Sequence, residues 1–597
     1  MRAETIETDV LIIGGGAAGC TAALHAHALG AKVLMAVKGK VGRSGATPLA
    51  SRLAGPVNLP LPHGVLRALK SIYAAVNKVV PLPLPGKLAD QLRMNLDYHG
   101  WLIDQDYLVE IALWITKEFF PNLEANGTFV LRDEAGRPVA PGRGGDSYIL
   151  HSHGMTGYLY GEARRKDVLA TDVDVMEEAM ALSLIQGAGG EIGGAMVLDY
   201  ARGRLFEIVA KSTILATGHT NWLATRSTGT REMAANGLAM ALRAGVELQN
   251  LEIQMYHSAD MSYPDSWMRL HHFPNPIHGT PKMVAMVNKE GERYLDTGAF
   301  DYSMPYTQQM KAQYQQVRKG KADWEGGNFS DFRHIEPEIS KKYQYGWEFY
   351  EKIGLNMAKD LLPGAPTWHM TAGGVRADTR TMKTALPRLY IAGAVGGHVL
   401  GGLHLATYDG KIAGTEAARA ALGAAAPGRA PDQVKAAEAQ IETLLAGPTR
   451  AHNEPAVSPI EVKRRIRAIV GEHMMFVKTE QGLNAALEGF ERVREEDLPR
   501  VRLRTDTLRF NTDLMDALDL EDMLQVAAAA AHAALARRES RGPHFREEFP
   551  FTDNDEWLKR IVVGLEGDRI TTRFEPAPQT YVKPPGGRRG YFDELPD

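Results

Sequence analysis

From Asp9 the chain reads DVLIIGGGAAGCTAALHAHALGAKVLMAV, and no other stretch restricts the fold as strongly. DVLII is a short apolar run of the kind buried on both faces of a parallel sheet, and AAGCTAALHAHALG carries helical apolar spacing up to Gly30. Gly14, Gly16 and Gly19 occupy the positions of a G-x-G-x-x-G turn. One serves the tight turn, one the approach of backbone to a pyrophosphate, and one the close packing of helix on strand. Ala17 and Ala18 complete the turn, and the helix N-terminus they open attracts phosphate. With a second strand, AKVLMAV, after the helix, the order predicts a βαβ dinucleotide site and an α/β fold. One position breaks the pattern. Where an acidic side chain usually takes the ribose hydroxyls, about 20 residues on, the chain has Val37, which disfavours a nicotinamide site of the usual kind.

Composition narrows the rest. At 597 residues the chain exceeds a single core, and domains of ~100–200 residues imply three or four packed units. Its 44% hydrophobic and 23% charged residues are those of a globular protein, and a net charge of -4 gives no reason to expect nucleic acid or an anionic membrane as partner. The single cysteine, Cys20, can neither form an internal disulfide nor ligate an iron–sulfur cluster, so any cluster belongs to another chain. Cys20 sits on the apolar side of the first helix as a small buried residue. The N-terminus MRAETIETDVLIIGGG enters a strand without a basic and apolar leader, and no run of about 18 apolar residues follows, which reads as a cytoplasmic protein without membrane insertion.

The segment after the second strand, KGKVGRSGAT, resembles that of the flavoproteins of the succinate dehydrogenase, fumarate reductase and L-aspartate oxidase superfamily. The likeness continues in order through HSHGMTGYLYGEARRK, AKSTILATGHT, NGLAMALRAGVELQNLEIQMYHSADM, VNKEGERYLD, WHMTAGGVRADTRT, LPRLYIAGAVGG with YDGKIAG, and ESRGPHFREEFPFTDNDEW. The resemblance implies a Rossmann-like FAD-binding domain over residues 1–250 and 350–425, an inserted α+β capping domain over 251–349, a helical domain over 431–545 and a C-terminal extension over 546–597. Within this plan MALSLIQGAGGEIGGAMVLDYARGRLFEIVA has the alternation of a β-meander with Gly turns, AALGAAAPGRAPDQ reads as a linker, and Ser458 is placed to cap a helix.

The same resemblance implies the cofactor, FAD. Lys38, Arg43, Ser44, Gly45, the turn Ala216, Thr217 and Gly218, the pair Gly373 and Gly374, and Gly393 with Ala394 fall on its flavin-contacting segments. Membrane-bound relatives carry Arg-Ser-His-Thr where this chain has Arg43, Ser44 and Gly45, and their His is the covalent link, so the flavin here is expected to be non-covalent.

The substrate site diverges from that pattern. His257 and His369 match the two histidines that hold substrate carboxylates in the dicarboxylate enzymes, but Ser258 and Ala259 replace the Pro-Thr that follows the first of them. Tyr306 stands in the slot of the proton-donating Arg and Val399 in that of the second clamp Arg. Tyr306, Lys311, His398 and His404 are candidate replacements, each with a packing role as the competing reading. His271 and His272 are adjacent, with no carboxylate cluster beside them, and no metal site is expected. VGRSGA, GHVLGGLHLATYDGKIAG and NWLATRSTG resemble the α subunit of adenylylsulfate reductase, a branch that works with a separate ferredoxin-like chain. The functional expectation is an FAD oxidoreductase acting on a small anionic substrate other than fumarate or succinate. An adenylylsulfate reductase-like subunit with an iron–sulfur partner, and a non-catalytic flavin-bearing subunit, stand as alternatives.

Overall fold

The first strand, β1 (Glu4–Ile13), is followed by helix α1 (Ala17–Ala28) and strand β2 (Val33–Val37), and the two strands pair in parallel from Val10 against Val33 to Ile13 against Ala36. The computed structural model describes residues 2–50, 53–54, 92–93, 96–97, 99–132, 134–136, 147–148, 156–262, 284–295, 306–322, 327–343, 347–398, 402–447 and 455–593. Strands β3 (Asp174–Glu177), β4 (Ala179–Gln186), β5 (Ile192–Asp199) and β6 (Arg204–Leu215) extend the sheet in the order β3-β2-β1-β6-β5-β4, with Leu389–Ile391 pairing in parallel to the end of β6. The antiparallel run β4-β5-β6 is the meander that the Gly-punctuated alternation predicts. Strand β2 is buried at every position and β1 from Val10 to Ile13, as continuous Val, Ile and Leu runs require when helices cover both faces of a sheet. Helix α2 (Leu403–Leu422) lies against α1, and a Cβ at Gly410 or Gly414 would stand 2.3 Å from the carbonyl oxygen of Ala18 or Ala22. Only glycine permits that approach, which fixes α1 over the sheet and with it the glycine turn.

The cap is a five-stranded antiparallel sheet. Strands β7 (Gln254–Met261) and β8 (Leu362–Thr371) pair at one side of it, and Asn328–Asp331, Ala285–Val287 and Arg293–Leu295 follow in that order. The helix Tyr306–Arg318 is tied to β7 where the Ser258 hydroxyl donates to Gln309 at 2.7 Å. The sheet therefore reaches Thr371, through the antiparallel pairing of β7 with β8. A second small sheet joins Leu248–Gln249 and Gly374–Val375, where the chain leaves and re-enters the FAD domain, to the hairpin Lys559–Glu566 and Arg569–Pro576. The C-terminal segment is thus built into the junction between the two units.

Helices α3 (Pro459–His473), α4 (Glu480–Arg492) and α5 (Thr512–Ala536) form the helical unit. Ser458 caps α3, with its backbone N–H donating to Glu461 at 3.1 Å and Pro459 at the first helical position. The Ala-rich α5 packs closely against its neighbours and buries four aspartates, of which Asp513 is held by Arg504 at 2.6 Å. Asp516 and Asp519 hold Lys463 at 2.7 and 2.8 Å, Asp522 holds Arg243 at 2.6 Å, and Asp519 reaches Lys38 at 2.6 Å. Burial disfavours the charge on Lys463, but Asp519 and Asp516 outweigh it and keep the ammonium above its ordinary range. Among the described residues no helix is long and apolar enough to cross a membrane, and no three His, Cys, Asp or Glu side chains gather to hold a metal ion.

Candidate functional site

The glycine turn between β1 and α1 is sterically specified. Gly14 has φ +117°, and a Cβ there would lie 2.2 Å from the Ala216 carbonyl oxygen. Gly16 precedes the helix, and its Cβ would come 3.0 Å from the Thr47 hydroxyl, which accepts the Ala17 N–H at 2.9 Å. At Gly19 a Cβ would stand 2.0 Å from the Gly14 carbonyl oxygen, so helix and strand touch there. Ala17 and Ala18 are buried in the first turn, whose N–H groups have no intrahelical acceptor. Cys20 lies behind the turn, its thiol donating to the Gly15 carbonyl at 3.3 Å and pushed up to about 12 by burial.

Three further segments close around this turn. Ala216, Thr217 and Gly218 follow β6, the Ala216 N–H donating to Ile13 at 2.8 Å. Gly373 and Gly374 bring the end of the cap sheet within backbone contact of Asn250 and of Val395. Gly393 donates its N–H to Asp409 at 3.0 Å, with Ala394 next in the same turn. Among the described residues Thr217 Oγ1, His219 Nδ1 and His398 Nδ1 are buried atoms without a hydrogen-bond partner. A phosphate cradle beside unsatisfied donors and acceptors fits a flavin dinucleotide.

Other sequence candidates are engaged by the protein itself. Lys38 donates to Asp519 at 2.6 Å and to Asn236 at 3.0 Å. Arg43 grips Glu162 in two bonds of 2.5 and 2.9 Å. The Ser44 hydroxyl closes a turn onto Lys40, and Gly45 has φ +73° with open space at its Cβ position.

The two histidines of the sequence analysis meet. In the pairing of β7 with β8, Met255 faces Met370 and Tyr256 faces Trp368, which leaves His369 as the extra residue of a bulge. Bulges re-aim side chains, and this one sets the His369 ring on that of His257, with centroids 3.7 Å apart and planes inclined by 25°. His257 Nδ1 lies 3.1 Å from Asp260, and His369 Nδ1 lies 2.7 Å from the Thr228 hydroxyl. Asn221 donates to the His369 carbonyl at 2.7 Å. The segment NWLATRSTG thus runs beside β8, with Trp368 N–H donating to Arg226 and Thr228 N–H to Trp368. With Nδ1 of each ring so oriented, Nε2 is the atom through which each can hold a substrate.

His398 is held apart from this pair. Its Nε2 lies 3.1 Å from Asp409, which also accepts from Tyr107 at 2.7 Å, so it anchors the start of α2. Burial pushes His404 down to about 4, partly opposed by Asp409, which makes it a neutral imidazole. Lys311 places its ammonium over the Tyr591 ring, 4.2 Å from the centroid, and so faces the C-terminal segment. Tyr306 opens the helix Tyr306–Arg318, but its side chain, Val399, His271 and His272 lie outside the described residues. Sequence reasoning passed over Thr47, Thr228 and His219. The last, pushed down to about 4 by burial, stands next to the Ala-Thr-Gly turn, and that adjacency was the available signal.

Comparison with known proteins bears on the family and the fold. The family described as FAD binding domain matches residues 9–76 and 103–407, and the one described as fumarate reductase flavoprotein C-term matches 463–591. The fumarate reductase (CoM/CoB) of Methanothermobacter marburgensis has a subunit that is 28% identical over 581 residues, covering 94% of this chain and 98% of that protein. The fumarate reductase flavoprotein subunit of Escherichia coli K12 is 24% identical over 636 residues, covering 93% and 95%. Among solved structures, a variant of the E. coli quinol fumarate reductase chain FrdA superposes with a TM-score of 0.80 at 22% identity over 100% of both chains. Adenylylsulfate reductase from Archaeoglobus fulgidus superposes with a TM-score of 0.77 at 18% identity over 97% of each. At such identities the superpositions speak to the fold.

Proposed function

Since this chain belongs to the FAD-binding fumarate reductase and succinate dehydrogenase flavoprotein family, and is an FAD-dependent oxidoreductase, we propose that it exchanges hydride with a small anionic substrate held by His257 and His369. The observation that carries this reading is the stacking of the two rings, from two strands of the cap sheet, where that sheet returns to the cofactor cradle. When bound, FAD supplies the ring that takes or gives the hydride. The histidines hold the anionic group and stabilise charge as it develops, and Asp260 and Thr228 keep them oriented at no cost during the reaction. Arg226 and Thr228 flank Ser227, whose parallel bridge to Trp368 lays this segment beside β8, and Arg226 is the guanidinium it brings to the neighbourhood of the pair.

One guanidinium suits one anionic group. With Tyr306 and Val399 in place of the family's clamp arginines, a dicarboxylate loses bidentate partners in a desolvated site. Reduced protein mixed anaerobically with fumarate should therefore keep its flavin reduced over minutes. Rapid reoxidation in stopped flow would show that other cations complete a dicarboxylate clamp. The flavin itself should leave the polypeptide on acid precipitation, because Gly45 has no side chain to bond it; yellow colour retained by the washed precipitate would contradict this. Electrons pass to or from a second chain, which must carry any iron–sulfur cluster, since Cys20 is buried and protonated.

A further inference from the structure

The residue at position 37 leaves a gap in nucleotide recognition that the fold fills from elsewhere. At the end of β2 the chain turns through Gly39, and a Cβ there would point at Ser44 Oγ, 2.6 Å away, and at Glu232 Oε1, 3.6 Å away. Glu232 comes from the segment between β6 and the helix Asn236–Arg243, far along the chain. Its carboxylate thus stands at the corner where an acidic residue of β2 would meet the ribose. Among the described residues Glu232 Oε2 is buried and accepts no hydrogen bond. The other charged groups of this corner are taken. Glu177 is held by Arg165 at 2.5 Å and Lys40 at 3.3 Å, Glu178 by Lys40 at 3.1 Å and by the Tyr200 hydroxyl, and Lys38 by Asp519. A buried carboxylate oxygen without a donor is costly, and the ribose diol of a dinucleotide offers two donors at this end of the cradle.

We propose that Glu232 takes over the role absent at Val37 and accepts hydrogen bonds from the ribose hydroxyls of the adenosine half of FAD. The segment that carries it is firmly placed. Met233 N–H donates to Thr230 at 3.0 Å, Met233 and Ala234 are buried, and Arg231 reaches Asp516 at 3.3 Å. The helical unit therefore braces the residue from outside while the carboxylate faces inward.

The experiment uses apoprotein stripped of FAD and isothermal titration with FAD, ADP and 2′-deoxy-ADP. The wild type should bind ADP about 10-fold more tightly than 2′-deoxy-ADP, as expected for one hydrogen bond to a charged acceptor. Glu232→Gln, which keeps shape but removes charge, should weaken FAD binding about 10- to 100-fold and abolish the preference for ADP. A wild type that binds both nucleotides equally overturns the proposal without recourse to any variant. So does a Glu232→Gln protein that melts like wild-type apoprotein, binds FAD with the wild-type Kd and still prefers ADP. Failure of the wild type to bind FAD at all would instead strike at the cradle assignment.

Discussion

Gly16→Val should be purified as a folded but colourless protein, with flavin below about a tenth of wild-type occupancy. The backbone at Gly16 is extended, at φ -77° and ψ -169°, so a β-branched residue fits the local conformation and the fold survives. The side chain is what does the damage. Its Cβ would already be 3.0 Å from Thr47 Oγ1, and its methyls would displace the hydroxyl that satisfies the Ala17 N–H and would fill the approach to the helix N-terminus. Gly14→Val makes the contrast. At φ +117° and 2.2 Å from a backbone oxygen it strains the sheet itself and should reduce soluble yield. Flavin absorbance per mole of protein, circular dichroism and gel filtration distinguish the two cases. A folded Gly16→Val with full FAD would mean that the cradle lies elsewhere.

That prediction rests on the part of the molecule most legible in sequence. DVLII and the spaced glycines announce a buried strand and a phosphate turn because both depend on neighbours within a few residues. The β4-β5-β6 meander and the Ser458 cap are local in the same sense. What stayed hidden is non-local. Thr47 caps α1 across an intervening strand, Glu232 reaches β2 from beyond β6, and the aspartates of α5 sit in an Ala-rich helix that reads as plain core. Their partners, Lys38, Arg243 and Lys463, are set by how units pack, which no periodicity reports. Lys38 shows the consequence, since nothing in its place after β2 announces its ion pair with Asp519. His257 and His369 were legible only through the motifs around them, because the bulge that brings the rings together changes pairing by one residue and leaves the strand pattern intact.

His257→Ala and His369→Ala should each slow turnover roughly 30- to 1000-fold, a loss of about 2–4 kcal/mol of transition-state stabilisation. The size follows from geometry. His257 is 6% exposed and His369 is half-buried against it, so a hydrogen bond to developing charge there exceeds its worth in water. FAD content should not change, since neither ring belongs to the phosphate cradle, and this separates loss of chemistry from loss of cofactor. Because the rings stack on one another, removing either lets the other move, so the double variant should lose much less than the product of the single effects. Thr228→Val and Asp260→Asn, which leave the rings but remove their orienting partners, should fall between wild type and the Ala variants. The readouts are flavin content, the rate of flavin reduction or reoxidation by any anionic substrate that supports turnover, and the perturbation of the flavin spectrum by small carboxylates and by sulfite with AMP. If both Ala variants kept wild-type rates and anion binding with flavin in place, the substrate would be held by other residues. The paired histidines would then be a packing feature of the cap sheet, and the proposed hydride exchange would have to be sought on another face of the flavin.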